Sequence, residues 1–145
     1  MKDLNHGSLE LLKFMQLGSR MLDSTLNEIA QSWQISPSEA HILLFLSINP
    51  KRNTARDAAA QCGMSKASVS GNVLKLTTRG LLTVDVDLAD RRFQHLTPTE
   101  QASPILASIR EKMDHFSDIL LSCLNGEERT QLINSLMQIN RQNME

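Results

Sequence analysis

The 145-residue chain has no tyrosine, only two cysteines, and no apolar run long enough to matter to a membrane. Its longest apolar stretch, ILLFL at 42–46, falls far short of the roughly 20 residues a bilayer demands. No charged-then-apolar leader precedes Ser8, so a soluble, intracellular protein is expected. Cys62 and Cys123 stand in helix-like apolar stretches, which suits reduced core residues better than a disulfide. Without a tyrosine to partner a thiolate and with no cysteine in the N-terminal segment, a redox switch is disfavoured. His6, His41, His95 and His115 form no spaced ligand set with the cysteines, and there is no glycine-rich phosphate loop or nucleophile elbow. An enzyme, a resident metal and a cofactor are therefore not expected. Low-complexity tracts and internal repeats are also missing, which leaves a single domain of ordinary core-forming composition, 41% hydrophobic.

Net charge is only −1, but it is unevenly spread. Residues 51–95 hold eight bases (Lys51, Arg52, Arg56, Lys66, Lys75, Arg79, Arg91, Arg92) and four acids (Asp57, Asp85, Asp87, Asp90), a local charge of +4 against −5 elsewhere. That asymmetry points to a polyanion site inside an acidic scaffold.

The periodicities explain what the basic stretch is built from. SKASVSGNVLKLTTRG at 65–80 opens on a capping serine, carries Val69, Val73 and Leu76 on one stripe, and ends at Gly80. LLTVDVD and FQHLT follow as two strands around the polar turn LADRR. Upstream, Thr54 with Asp57 three places on opens another helix, and Gly63 is the turn between the two. Helix, turn and helix followed by a ribbon is the order of a winged helix-turn-helix, whose second helix reads DNA.

Around this lobe the spacing predicts more helices. From Ser8 to Trp33, positions 12, 15, 19, 22, 26, 29 and 33 step alternately by 3 and 4, and Leu11, Phe14, Leu17 and Met21 add a second apolar face. Two faces predict two partners, the chain's own lobe and another subunit. SPSE at 36–39 is a capping box that leads into a buried helix ended by Asn49 and Pro50. TPTE at 97–100 repeats the pattern and predicts a long helix to about Leu124, bent near Pro104, with Leu106, Ile109, Met113, Phe116 and Leu120 inward. Asn125 and Gly126 stop it, and a last amphipathic helix with Leu132, Leu136 and Ile139 begins at Glu127.

SPSEAHILLFL, AAAQCGMSKASVSGNVLKLTTRGLL, DLADRR at 87–92, the Thr- and Pro-rich cap and LNGEER at 124–129, in this order and spacing, resemble the MarR family of bacterial winged-helix transcription regulators over nearly the whole chain. The resemblance implies a mainly α fold with a small β-hairpin wing. A DNA-binding lobe would span 36–98, with dimerisation helices at 8–33 and 99–143. It further implies a cytoplasmic homodimer that binds an inverted-repeat operator in double-stranded DNA as a repressor. A small apolar or aromatic effector would bind between the helical layer and the lobe and release it. The chain departs from the family at Gly71, where a long polar side chain is common, at Ala102 in place of a glycine, and at Leu88 in place of a proline.

The expected DNA-facing residues are Ser65, Lys66, Ser68, Ser70, Asn72 and Lys75 on the recognition helix and Asp90, Arg91 and Arg92 on the wing. Ser68, Ser70 and Asn72 are candidate base readers, and Lys66 and Lys75 are candidate phosphate clamps. One wing arginine is expected in a minor groove while the other pairs with Asp90 or Asp87; the residues do not say which. Met15, Trp33, His41, Phe45, Met113 and Phe116 are candidates for lining an effector pocket, with ordinary core packing as the competing explanation. His41 with Glu39 and Asp23 is similar to part of the site in metal-sensing relatives, but Ile29, Ile109 and Met113 stand where further ligands are needed. A winged helix that contacts only proteins is the alternative function.

Overall fold

The structure is a computed structural model describing residues 2–143, with side chains from His6 onward. Six α-helices and one hairpin follow in the order α1 (Lys2–Trp33), α2 (Pro37–Ile48), α3 (Ala55–Cys62), α4 (Lys66–Thr78), β1 (Leu82–Val86), β2 (Gln94–Pro98), α5 (Ser103–Leu120) and α6 (Gly126–Asn143), with a short 3-10 helix at Glu100–Ala102 before α5. The chain forms two compact units, one running to Glu111 and the other from Lys112.

Local chemistry accounts for the element starts in the first unit. Ser36 Oγ accepts from the Glu39 amide at 3.0 Å while Glu39 Oε1 accepts from the Ser36 amide at 3.2 Å, and Pro37 occupies the first helical position. Thr54 and Asp57 make the same reciprocal box for α3. The turn to α4 passes through Gly63 at φ 63°, a left-handed conformation that glycine adopts without a Cβ penalty. Ser65 then caps α4 by accepting from the Ser68 amide at 3.1 Å.

These helices surround a core of Leu26, Ile29, Ile42, Leu43, Phe45, Leu46, Val69, Leu76, Leu82, Leu96, Ile105 and Ile109, all buried. α2 is its centre, touching α1, α3, α4 and β2. Its burial on several sides fits an apolar run with little amphipathic pattern. β1 and β2 are antiparallel with Val84 opposite Leu96, and Leu82 and Leu96 are the strand residues that face the core. A third segment joins the ribbon: the Leu96 amide donates to Asn53 O at 2.8 Å, and Thr54 bridges His95.

Several expectations for the C-terminal part need correction. Thr97 is paired in the hairpin opposite Thr83 and caps nothing. Thr99 precedes the 3-10 helix without a side-chain cap, because its hydroxyl donates to Gly80 O at 2.6 Å. α5 starts only at Ser103, so Pro104 falls in its first turn, where no intrahelical N–H bond is lost and no bend is required. The helix stops at Leu120 rather than near Leu124, which leaves Cys123 exposed in a turn instead of in a helical core. Ile105 rather than Leu106 is the fully buried residue at that end, and Met113, Phe116 and Leu120 are only half-buried. Asn125 starts α6 as well as ending the turn, since its Oδ1 accepts from the Glu128 amide and its own amide donates to Glu128 Oε2, both at 2.9 Å. α6 buries no residue in the chain itself, and Ile133, Leu136, Met137 and Ile139 are exposed. Ala102, by contrast, is fully buried.

Among the described glycines, Gly80 leaves the least room for a side chain. Its φ is 73°, and a Cβ there would come within 2.7 Å of Gln101 Oε1. We expect Gly80→Ala to lower unfolding free energy by about 1–2 kcal/mol, read as a reduced urea midpoint at unchanged slope. Gly63→Ala, which meets no neighbour, carries the conformational cost alone and is the control.

Candidate nucleic-acid interface

The surface of interest is α4 with the hairpin that follows it. Val69, Val73 and Leu76 are buried, which turns the other side of α4 outward. Lys66, Ala67, Ser68, Ser70, Gly71 and Lys75 are exposed there, and a Cβ on Gly71 would meet nothing within 4 Å. The Ser65 oxygen is occupied by its capping bond, and the Ser68 oxygen receives the Asn72 amide at 3.4 Å. The side chains of Ser70, Lys66 and Lys75 are not engaged in any hydrogen bond or ion pair among the described residues.

Asn72 does not stand where the periodicity put it. It is only 9% exposed. Its amide donates to Ser68 O at 2.9 Å, and its Oδ1 accepts from the Ser36 hydroxyl at 3.5 Å. A side chain spent on its own helix and on the start of α2 is not free to meet a base edge. Position 72 lies one residue from the Val73 stripe, and the bond to a serine 36 positions away has no local signature.

The wing tip is a set of nested turns. Asp87 Oδ1 accepts from the amides of Ala89 at 2.8 Å and Asp90 at 3.2 Å, an Asx turn that reverses the chain. Asp90 in turn holds Arg92: Oδ1 accepts from its Nε at 2.9 Å and Oδ2 from its Nη2 at 2.7 Å. Arg91 has no such partner and points to solvent, so the two arginines that sequence left equivalent are distinguished by this fork. Leu88 is 98% exposed at the tip. At the wing base, Asp87 Oδ2 lies 2.9 Å from His95 Nε2, and His95 Nδ1 lies 2.8 Å from Asn53 Oδ1. His95 thus joins the wing to the segment that caps α3, a role its spacing did not reveal.

Electrostatics follow these contacts. The His95 hydrogen bond, then the Ala89 and Asp90 amides, hold the Asp87 carboxyl below its usual range; the Arg92 guanidinium does the same for Asp90. A cavity of about 410 Å³ opens between α3, α4 and the wing, with Val69 and Val73 among its walls and Arg56, Lys66, Ser70 and Arg92 around it. Arg56, a base of the 51–95 segment without a distinguishing local motif, thus lies beside α4 and the wing.

The expected effector residues are not gathered by the first unit. Phe45 is core, Trp33 and His41 are half-buried, and Met15 is exposed; Met113 and Phe116 belong to the second unit, where both are half-buried. Burial lowers the His41 pKa, partly opposed by Asp23. Cys62 donates to His41 O at 3.9 Å, and burial pushes its thiol up to about 11, which makes it a poor thiolate source. Among the described residues no group of three or more His, Cys, Asp or Glu is placed to hold a metal ion, and no helix is long and apolar enough to cross a membrane.

A mainly helical chain with a helix-turn-helix followed by a two-stranded wing has the winged helix-turn-helix architecture. Residues 23–92, from the second half of α1 to the wing arginines, match the model of the MarR family. Among solved structures, a single-substitution variant of MepR from a multidrug-resistant S. aureus clinical isolate shares the fold with a TM-score of 0.74 at 19% identity, over 91% of this chain and 96% of that one. A MarR transcriptional regulator from Methanosarcina mazei gives 0.71 at 16%, over 92% and 96%. S. aureus MepR in complex with DNA gives 0.62 at 18%, over 89% and 93%. No curated protein matches the chain in sequence.

Because both wing carboxyls titrate below their ordinary value of 3.8, the order they confer is complete above that value and is lost as pH falls through their depressed pKa values. In an acid titration followed by NMR, the Ala89, Asp90 and Arg92 amides are expected to move with midpoints below 3.8. Midpoints at or above it would mean that the nested turns do not persist in solution.

Proposed function

We propose that the chain is a sequence-specific regulator that binds double-stranded DNA as a homodimer. The observation that carries this reading is the convergence of Lys66, Ser70 and Lys75 on the outer face of α4 with an unpartnered Arg91 on the adjacent wing, inside a segment of charge +4. Lys66 and Lys75 clamp phosphates, Ser70 and the Ser68 hydroxyl read base edges, and Arg91 enters a minor groove. Arg92 and Asp90 shape the turn that presents it. S. aureus MepR, a protein of the same fold, is solved in complex with DNA, which supports DNA as the partner. Repression by occupancy of an operator, relieved by a small apolar or aromatic effector, is the regulatory mode we assign with it, on the family resemblance.

Sequencing the duplexes that the purified protein retains from a random library tests this. The expected product is an inverted repeat with half-sites about 10 base pairs apart. Affinity should fall about a thousandfold between about 50 and 200 mM salt if about six phosphates are engaged. Arg91→Ala should lose about tenfold on AT-rich flanks, whose minor groove is narrow, and little on GC-rich ones, whereas Arg92→Ala should weaken both alike through the turn. Equal binding at both salts would favour a module that contacts only proteins.

The dimer rests on apolar surface that the single chain leaves uncovered: Leu9, Leu12, Phe14 and Met15 on α1, and Ile133, Leu136, Met137 and Ile139 on α6. Light scattering should give about twice the 16.2 kDa chain mass. Leu12→Glu, at a position 51% exposed in the chain, should halve that mass while the monomer stays folded. A parent protein of single-chain mass would reject the dimer.

A further inference from the structure

Arg79 belongs to the basic segment, yet its side chain does not face the surface described above. It is the C-terminal cap of α4, its own amide donating to Lys75 O at 3.1 Å. Its guanidinium reaches across 45 residues of sequence to the end of α1, where Nη2 donates to Trp33 O at 3.1 Å and Nη1 donates to Gln34 O. Both acceptors are backbone carbonyls, among those a helix terminus leaves unpaired. α1 carries no basic residue in its own last turn, so the guanidinium also supplies the positive charge that the negative end of that helix lacks.

The elbow it grips is unusual. Gln34 has φ 55° and is the residue other than glycine with positive φ among the described residues. In that conformation the Ile35 amide closes back on Ala30 O at 3.1 Å, and the Gln34 carbonyl is presented to Arg79. A left-handed glutamine persists only where its surroundings hold it. Two residues further on, the Ser36 hydroxyl donates to Asn72 Oδ1. The segment 33–36 therefore holds α4 at two points, Asn72 and Arg79, which lie about 10 Å apart along the axis at about 1.5 Å per residue. One point leaves a helix free to pivot; two points set its tilt and slide together.

We propose that Arg79 is a positioning residue for DNA recognition: it clasps the α1 to α2 elbow and so sets the angle at which α4 presents Ser68, Ser70 and Lys75. This rests on the DNA-binding reading above, but it assigns Arg79 no contact with DNA. Only arginine serves here, because a planar fork spans two carbonyls while a lysine ammonium is a single point of charge.

Arg79→Lys tests this, since it keeps the charge and changes only the fork. Affinity for the duplex selected by the parent should fall about tenfold, the loss associated with one base contact. Affinity for a scrambled duplex of the same length should not change, and the salt slope should match the parent's. In the free protein, amide hydrogen exchange over residues 33–36 and 72–78 should quicken, a readout that does not involve DNA. If Arg79→Lys equals the parent in both selectivity and exchange, the proposal is overturned. A phosphate ligand would show itself differently: Arg79→Ala would weaken selected and scrambled duplexes alike and reduce the salt slope by about one per protomer, which also overturns it. If the parent itself selects no duplex, the DNA-binding reading and the selectivity claim fall together, while faster exchange would still show the clasp.

Discussion

The packing of one stripe, Val69, Val73 and Leu76, against the rest of the first unit is the constraint on which the surface depends. Each of these side chains contributes about 1.5–3 kcal/mol when fully buried, and together they leave α4 no freedom to roll. Because 3.6 residues make a turn, burying this stripe forces Lys66, Ser70, Gly71 and Lys75 outward. A large-to-small change at Leu76, which is fully buried, would therefore disturb the outer face without touching a residue on it.

Polar contacts then do what apolar packing cannot, because burial fixes which face is inward but says little about slide or tilt. Asn72 to Ser36 and Arg79 to the end of α1 register α4 against the α1 to α2 elbow. His95, between Asp87 and Asn53, registers the wing against the start of α3. The two halves of the surface are thus tied to different parts of the unit, as well as to each other where α4 meets β1. Glu39 shows how fully such caps are used at this junction. One of its oxygens completes the α2 capping box, while Oε2 is buried without a hydrogen-bond partner among the described residues, a cost that the cap offsets only in part.

The basic segment resolves into three kinds of cation. Lys66, Lys75 and Arg91 stand free on the outer surface; Arg92 is clasped by Asp90; Arg79 is spent on main-chain carbonyls. The count of +4 overstates how many charges would face a polyanion. Exposed charges of this kind add little to stability and much to association with a polyanion.

What the sequence alone determined was set within a few residues: the serine and threonine caps of α2, α3 and α4, the left-handed Gly63 and Gly80, the period of the α4 stripe and the two strands around a polar turn. Those features depend on i to i+3 or i to i+4 contacts and on backbone sterics, and both are written in the order of residues. Only the tertiary structure decided that Asn72 is buried, that Arg92 rather than Arg91 is paired, and that Arg79 and His95 are structural ties. It also decided that Thr97 pairs with Thr83 in the hairpin and Thr99 bonds to Gly80, so that TPTE does not cap a long α5. Most of these turn on contacts between residues 19 to 46 positions apart. The choice between adjacent arginines turns on the turn geometry at the tip. In both cases the identities of the residues permit several partners of equal chemistry, and the folded backbone selects one of them by distance.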